Sequence, residues 1–215
     1  MAATDRFEIL ITGRQTHGAT PWLWVDPIVV GAQIINALQT IVSRNIKITE
    51  LPAVVTVGQF QAGVSYNIIP DTARLVGTIR TFKDEVQTDI HARIKTIAEA
   101  AAMASGATAQ VTILRNVPVT SNDSALTARM LPTLERVAPG RVQQSELITT
   151  GEDFAYFQRV APGLFFFLGI TPKEQVGSAP QNHSQLFFVD EKALLTGVRA
   201  MSHLAADYLS GSSQK

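Results

Sequence analysis

Apolar and polar positions alternate along Phe7-Glu8-Ile9-Leu10-Ile11-Thr12, with Phe7, Ile9 and Ile11 on one face and a stop at Gly13. That period of two predicts a half-buried strand. A loop of turn residues follows through His17, Gly18 and Pro21. From Asp26, whose carboxylate can cap a helix with Pro27 in its first turn, the spacing lengthens to three and four, and Ile28, Ala32, Ile35, Leu38 and Val42 predict an amphipathic helix. Residues 54–57 (Val-Val-Thr-Val) and 72–82 read as strands, joined through a turn-prone stretch holding Gly63, Asn67 and Pro70. In the second of these, Leu75 and Ile79 share one face, while Arg74, Thr78 and Arg80 share the other. Val86, Ile90, Ile94, Ile97, Ala101 and Ala104 predict a second helix, with Asp89 and Arg93 paired on its wet side and Gly106 at its end. Residues 108–117 close the series as a fourth strand. The order βαββαβ, with right-handed crossovers, predicts a ferredoxin-like sandwich with both helices on one face of the sheet.

After Pro118 the pattern changes. Residues 124–137 predict a helix, 154–157 a helical turn, and Gly163-Leu164-Phe165-Phe166-Phe167-Leu168-Gly169 a fully apolar strand of the kind buried on both faces of a parallel sheet, with a weaker strand near Leu147. Asp190 caps a last helix with Leu194, Val198, Met201 and Leu204 on one stripe. A sheet of one or two strands cannot bury the Phe run by itself, so this part expects neighbours that it does not supply. The expected class is α+β: a ferredoxin-like domain over 5–117, a second part over 118–210, and a disordered tail over 211–215.

Composition narrows the function. With 18 Lys+Arg against 18 Asp+Glu the net charge is zero, which argues against nucleic acid or an anionic membrane as partner. No Cys means no disulfide, Cys-ligated zinc, iron–sulfur cluster or thiol nucleophile. No apolar run approaches the roughly 20 residues of a membrane span, and residues 1–6 lack the apolar core of a signal peptide, so a soluble, cytoplasmic protein is expected. Of the four histidines, His91 and His203 read as ordinary helix residues. His17, in Thr16-His17-Gly18-Ala19-Thr20-Pro21, and His183, in Pro180-Gln181-Asn182-His183-Ser184, lie on loops from which a ring nitrogen can face a ligand. Arg80, on a sheet face without helices, can grip a carboxylate with both arms of its guanidinium. Taken alone, each of these is better explained as a structural residue. The chain has no H-E-x-x-H pair, no G-x-S-x-G elbow and no phosphate-binding glycine loop. Glu152 and Asp153 are adjacent and so diverge, unlike a glycosidase pair.

Taken in order, however, the pieces resemble a known family. The segments are Thr16-His17-Gly18-Ala19-Thr20-Pro21 with Asp26-Pro27-Ile28, residues 37–44 (Ala-Leu-Gln-Thr-Ile-Val-Ser-Arg), Asn67-Ile68-Ile69-Pro70-Asp71, Gly77-Thr78-Ile79-Arg80-Thr81, Gly151-Glu152-Asp153-Phe154 and Asn182-His183-Ser184. Together they are similar to the aminoacylase/carboxypeptidase family of two-metal hydrolases, in particular its amidohydrolase branch of hippurate and indoleacetyl-amino-acid hydrolases.

The resemblance implies a ferredoxin-like lid that pairs into a homodimer and, from residue 118, the C-terminal portion of an α/β catalytic domain. It assigns His17 as the catalytic lid histidine that reaches the partner's site and polarises the scissile carbonyl. Asn67 acts beside it, Arg80 holds the substrate's free carboxylate, Gly151 lines the cleft, and His183 is a metal ligand. The complete enzyme would carry a divalent metal pair (zinc, manganese, cobalt or nickel) and cleave N-acyl amino acids or related small amides. The other ligands and the general base lie in a half that precedes the lid, so the chain reads as the C-terminal half only, expected to hold no stoichiometric metal and to be inactive alone. Gln15-Thr16 stands where the branch usually has Gly-Gly, and Ser184-Gln185 where Ser-Pro is usual; neither removes a functional side chain. Two other readings remain open: a non-catalytic dimerisation module, and a ferredoxin-like regulatory domain for a small ligand.

Overall fold

The computed structural model describes residues 1–211, which divide into two compact units: residues 1–120 with 147–156, and residues 121–146 with 157 onward. The first unit is built on a four-stranded antiparallel sheet of β1 (Ala3–Thr12), β3 (Val54–Ala62), β5 (Thr72–Thr81) and β6 (Thr108–Val117), in the order β3-β5-β1-β6. Helices α1 (Pro27–Thr40) and α2 (Asp84–Ala104) make the two crossovers, giving the expected split βαβ sandwich. A two-stranded ribbon, β2 (Thr16–His17) with β4 (Ile68–Ile69), stands apart from the main sheet.

Phe7, Ile9 and Ile11 from β1 and Leu75 and Ile79 from β5 meet Ile90, Ile94, Ala98 and Ala102 from α2 in one buried core. Gly77 lies opposite Phe7 in the register, and a methyl group there would sit 2.2 Å from the Phe7 ring and 2.3 Å from the Thr56 carbonyl oxygen. Only glycine lets that ring lie flat across the neighbouring strand. On α1 the buried stripe is Val30, Gly31, Ile34 and Leu38, not the expected one through Ile28 and Ala32, both of which are exposed. The cause is Phe60 on β3, whose ring comes within 2.7 Å of where a Gly31 side chain would begin and so fixes which face of α1 turns inward.

Strand β1 also begins earlier than the Phe7 run suggests. Asp5 occupies the buried phase of the strand, and its Oδ2 accepts hydrogen bonds from Gln87 Nε2 (2.8 Å) and lies 2.7 Å from His91 Nε2, both on α2. His91 is therefore not a surface residue; its side chain is 13% exposed and is spent on a buried carboxylate. The segment 147–156 joins this unit through Ala2 N–H to the Ile148 carbonyl (3.0 Å), Thr120 Oγ1 to the Glu152 carbonyl (3.3 Å) and the Tyr156 hydroxyl to the Asn116 carbonyl.

In the second unit α3 (Ser124–Val137), capped by Asp123 through Leu126 N–H (2.7 Å), packs on α5 (Lys192–Ser210); the short α4 (Phe154–Gln158) begins in the first unit and ends in the second. The expected strand at 163–169 is extended but has no strand neighbour. The Asn122 side chain donates to the Phe165 carbonyl and accepts from Phe165 N–H, each at 2.8 Å, and the Gly163 carbonyl accepts from Asp123 N–H at 3.0 Å. Leu194, Val198 and Met201 of the last helix are all more than half exposed, so that stripe faces away from the unit's own residues. Of the expected tail, 212–215 lie outside the described residues, and Gly211 closes α5 at φ 68°.

The pairing of α3 with α5 rests in part on Asp207, whose carboxylate accepts from Thr133 Oγ1 (2.6 Å) and from Arg136. The Thr133 hydroxyl and then the Arg136 guanidinium hold its pKa below the ordinary carboxylate range. A depressed carboxylate adds stability that is complete above the unfolded value of about 3.9 and lost as pH falls through the folded one. Acid unfolding followed at α5 amides should therefore begin at higher pH in wild type than a carboxylate-free reference predicts. Asp207→Asn should remove that acid limb, and an unchanged acid limb would contradict the assignment.

Candidate functional site

The loop after β1 is folded back by close backbone contacts. Gly13 N–H donates to the Asp71 carbonyl (2.8 Å), and Arg14 N–H donates to the Val25 carbonyl (2.9 Å). A side chain at Gly13 would begin 2.4 Å from that same Val25 oxygen. The ribbon that follows pairs Thr16 with Ile69 and His17 with Ile68, and Gly18 N–H donates to the Asn67 carbonyl at 2.8 Å, which places His17 and Asn67 side by side at its tip. Both are exposed.

The hydrogen bonds at the tip set what each side chain can offer. His17 Nδ1 accepts from Ala19 N–H at 3.0 Å, so the neutral ring carries its proton on Nε2, the atom that faces an incoming acceptor. Asn67 Oδ1 accepts from Ser65 Oγ at 2.8 Å, so the amide's remaining capacity is its Nδ2 donors. His17 and Asn67 thus each keep an N–H donor available at the tip of the ribbon.

Arg80 and Gly151 lie at the other end of the sheet. Arg80 pairs with Thr4 in the register. Its Nη1 donates to the Ile79 carbonyl (2.9 Å) and to Thr78 Oγ1, which in turn donates to the Asp5 carbonyl (3.2 Å). Gly151 rests on the same Thr4, since a methyl group there would begin 2.4 Å from Thr4 Cγ2. The eight residue steps from Thr72 to Arg80 at roughly 3.3 Å each put about 25 Å between this end and the His17 tip. In one copy of the chain His17 with Asn67 and Arg80 with Gly151 therefore form two groups too far apart to meet one small molecule.

His183 belongs to the second unit, is exposed, and is the one described non-glycine residue with positive φ (69°). A histidine in the left-handed region carries backbone strain of the sort that accumulates at functional positions.

Residues 4–105 match the peptidase dimerisation domain family model. Over 95% of its length the chain is 36% identical to the N-acetylcysteine deacetylase of Bacillus subtilis, and over 97% it is 34% identical to thermostable carboxypeptidase 2 of Saccharolobus solfataricus. A crystal structure described as a dinuclear metal binding peptidase from the M20 family, from Bacillus subtilis, superposes on 98% of the chain with a TM-score of 0.76 at 31% identity and is covered over 51% of its own length. The chain belongs to the M20 peptidase family. It spans about half the length of the curated relatives it matches, 52% of each of the two named.

For an M20 chain the metal question is direct. Among the described residues no three His, Cys, Asp or Glu side chains gather in a way that could hold an ion. No described helix is long and apolar enough to cross a membrane. The feature that reading the sequence missed is the buried Asp5 with His91 and Gln87. Continuing the Phe7, Ile9, Ile11 phase backwards puts a charged residue on the core face, and that was its available signal.

Proposed function

We propose that the chain is the C-terminal part of a metal-dependent amidohydrolase that cleaves N-acyl amino acids or related amides and acts in the cytoplasm as a homodimer. Residues 5–117 form its lid and 118–210 part of its catalytic domain. The observation that supports this reading is that His17 with Asn67 and Arg80 with Gly151 lie at opposite ends of one sheet. A donor pair for a carbonyl oxygen and a cation for a carboxylate are both needed by an N-acyl amino acid, and a second copy is the simplest source of the missing partner for each. In that arrangement His17 Nε2–H and Asn67 Nδ2–H of one copy stabilise the negative charge that builds on the scissile carbonyl oxygen in the other's site. Arg80 binds the amino acid's carboxylate and fixes the amide relative to it, and Gly151 leaves room for the backbone of the bound amino acid. His183 contributes one ligand to the family's metal pair, whose other ligands come from residues outside this chain. The deacetylase and carboxypeptidase names of the relatives support an amide with a free carboxylate as substrate.

A second reading, a module that dimerises without catalysing, is favoured by the lack of a metal centre among the described residues. Both readings require the lid to pair. Strand β3 hydrogen-bonds only to β5 and presents its other edge unpaired, with half-exposed Phe60 beside α1. Such an edge invites a second copy. Sedimentation equilibrium at micromolar concentration should show a dimer. A monomer throughout that range would remove the second copy from the argument, and the shared site with it.

A further inference from the structure

We infer that Thr78 is the positioning residue for Arg80: its hydroxyl, fixed against the start of β1, holds one arm of the guanidinium so that the opposite edge is presented to a substrate carboxylate. The inference rests on the amidohydrolase reading above and names what orients the cation in it.

Thr78 and Arg80 are two residues apart on β5, so both side chains stand on the sheet face opposite the core. Threonine is an ordinary strand residue, and a hydroxyl on such a face usually bonds to water. This one is committed on both sides. It donates to the Asp5 carbonyl at 3.2 Å and accepts from Arg80 Nη1. A hydroxyl has one proton, and here that proton goes to a carbonyl that can only accept, which leaves a lone pair for a guanidinium nitrogen that can only donate. The order of the three groups, Arg80 to Thr78 to Asp5, is thereby set. Arg80 Nη1 also donates to the Ile79 carbonyl at 2.9 Å, so both of its protons are used.

What remains of Arg80 is its Nε–H and the two protons on Nη2, which have no partner among the described residues. A guanidinium meets a carboxylate either end-on, through its two Nη atoms, or side-on, through Nε–H and the Nη2 proton beside it. With Nη1 tied down, the side-on edge is the one left open. That edge still supplies the two parallel N–H···O bonds of a bidentate contact.

The acceptor at the base of this chain of bonds is well anchored. Asp5 lies in register between Ile79 on β5 and Arg115 on β6. It is 2% exposed, and on the helix face of the sheet its Oδ2 accepts from Gln87 Nε2 at 2.8 Å and lies 2.7 Å from His91 Nε2. A carbonyl on a residue held by two strands and a helix does not follow a mobile side chain. Thr78 passes that fixity to Arg80. Without the hydroxyl, Arg80 keeps only the Ile79 carbonyl and must be ordered when the carboxylate binds, a cost that pre-organisation removes.

The test uses the 215-residue chain itself. Thr78→Val exchanges the hydroxyl for a methyl group and keeps a β-branched strand residue, while Thr78→Ser keeps the hydroxyl. Guanidinium NMR follows Arg80 through its Nε–H resonance and the rate of rotation about its Nε–Cζ bond, during titration with N-acetylglycine or N-acetylglycinamide to about 50 mM, the range of a single weak ion-pair site. In the wild type the acid should shift Arg80 Nε–H and the amide should not. Thr78→Val should weaken acid binding by about 5-fold and speed the rotation by a similar factor, the usual effect of one lost hydrogen bond and of one side chain left to be ordered. Thr78→Ser should behave as wild type in both. A purely structural Thr78 would change thermal stability and move neither readout. Equal acid binding in wild type and Thr78→Val, an unchanged rotation rate, or a Thr78→Ser variant that behaves like Thr78→Val overturns the positioning role and leaves the amidohydrolase reading standing. A wild-type Arg80 that responds to neither ligand, or to both alike, overturns the carboxylate role and the positioning together.

Discussion

Replacing His17 with alanine, in an enzyme completed by the half that the relatives carry beyond this chain, should lower kcat by about 10²- to 10³-fold, the usual effect of removing one oxyanion donor. The expectation follows from the tautomer. Ala19 N–H already occupies Nδ1 at 3.0 Å, so the ring arrives with its proton on Nε2 and needs no reorganisation to donate as charge builds on the carbonyl oxygen. Arg80→Ala should separate from it kinetically. On the proposed reading its partner is a carboxylate that is charged in ground and transition states alike, so the loss of roughly 1.5 to 3 kcal/mol expected for a charge-assisted bond should appear as a raised KM. Substrates amidated at that carboxylate should not feel the change. Steady-state kinetics on matched acid and amide substrates gives both numbers. A His17→Ala enzyme with kcat within a few-fold of wild type would remove the carbonyl role.

The largest effect on stability should come from Phe7→Ala, at about 3 to 5 kcal/mol for a fully buried phenyl ring. Phe7 is wholly buried, lies between Gly77 on β5 and Ile113 on β6, and contacts strands on both sides of the sheet's centre. Gly77→Ala tests the same contact from below. The added methyl meets the Phe7 ring and the Thr56 carbonyl oxygen, and because the second of these is backbone, the strain of about 1 to 3 kcal/mol typical of overpacking cannot be relieved by turning the ring alone. Denaturant unfolding followed at core amides of α2 measures both. A loss under about 1 kcal/mol for Phe7→Ala would mean that the ring is not part of the unit's cooperative core.

Much of the first unit was legible because its elements are half-buried. A strand or helix with one wet face writes its period into the sequence, and β1, β5 and α2 did so. Helix α1 did not: Ile28, Val29, Val30, Ile34 and Ile35 make it apolar around most of its circumference, and the inward face was decided by Gly31 against Phe60, a contact between elements about 30 residues apart in sequence. The apolar run at 163–169 has strand composition, yet a strand exists only with a neighbour. The Asn122 side chain substitutes for one at a single residue, Phe165.

The residues proposed for the site were legible, and their placement was not. His17, Asn67, Arg80 and Gly151 could each be named from the sequence. That they divide into two groups about 25 Å apart depends on which end of the sheet each loop reaches, and chain order does not show it. The Nδ1 contact that fixes the His17 tautomer depends on the local path of Gly18 and Ala19. Asp5 shows the reverse case, where a signal was present in the strand's phase and meant a buried polar anchor, met by Gln87 and His91.

On the reading proposed above, the chain supplies the lid, the carbonyl-binding tip and the carboxylate-binding arginine of an amidohydrolase, while its described residues hold no cluster of three metal ligands. The most direct measurement is metal content and amino-acid release for the purified, dialysed chain, with N-benzoylglycine as substrate and added Zn²⁺, Mn²⁺ or Co²⁺, alone and again after mixing with a polypeptide supplying the other half of a relative. The expected result is no stoichiometric metal and no hydrolysis by the chain alone, and metal-dependent turnover in the mixture that is lost with His17→Ala. Metal-dependent turnover by the chain alone would contradict it.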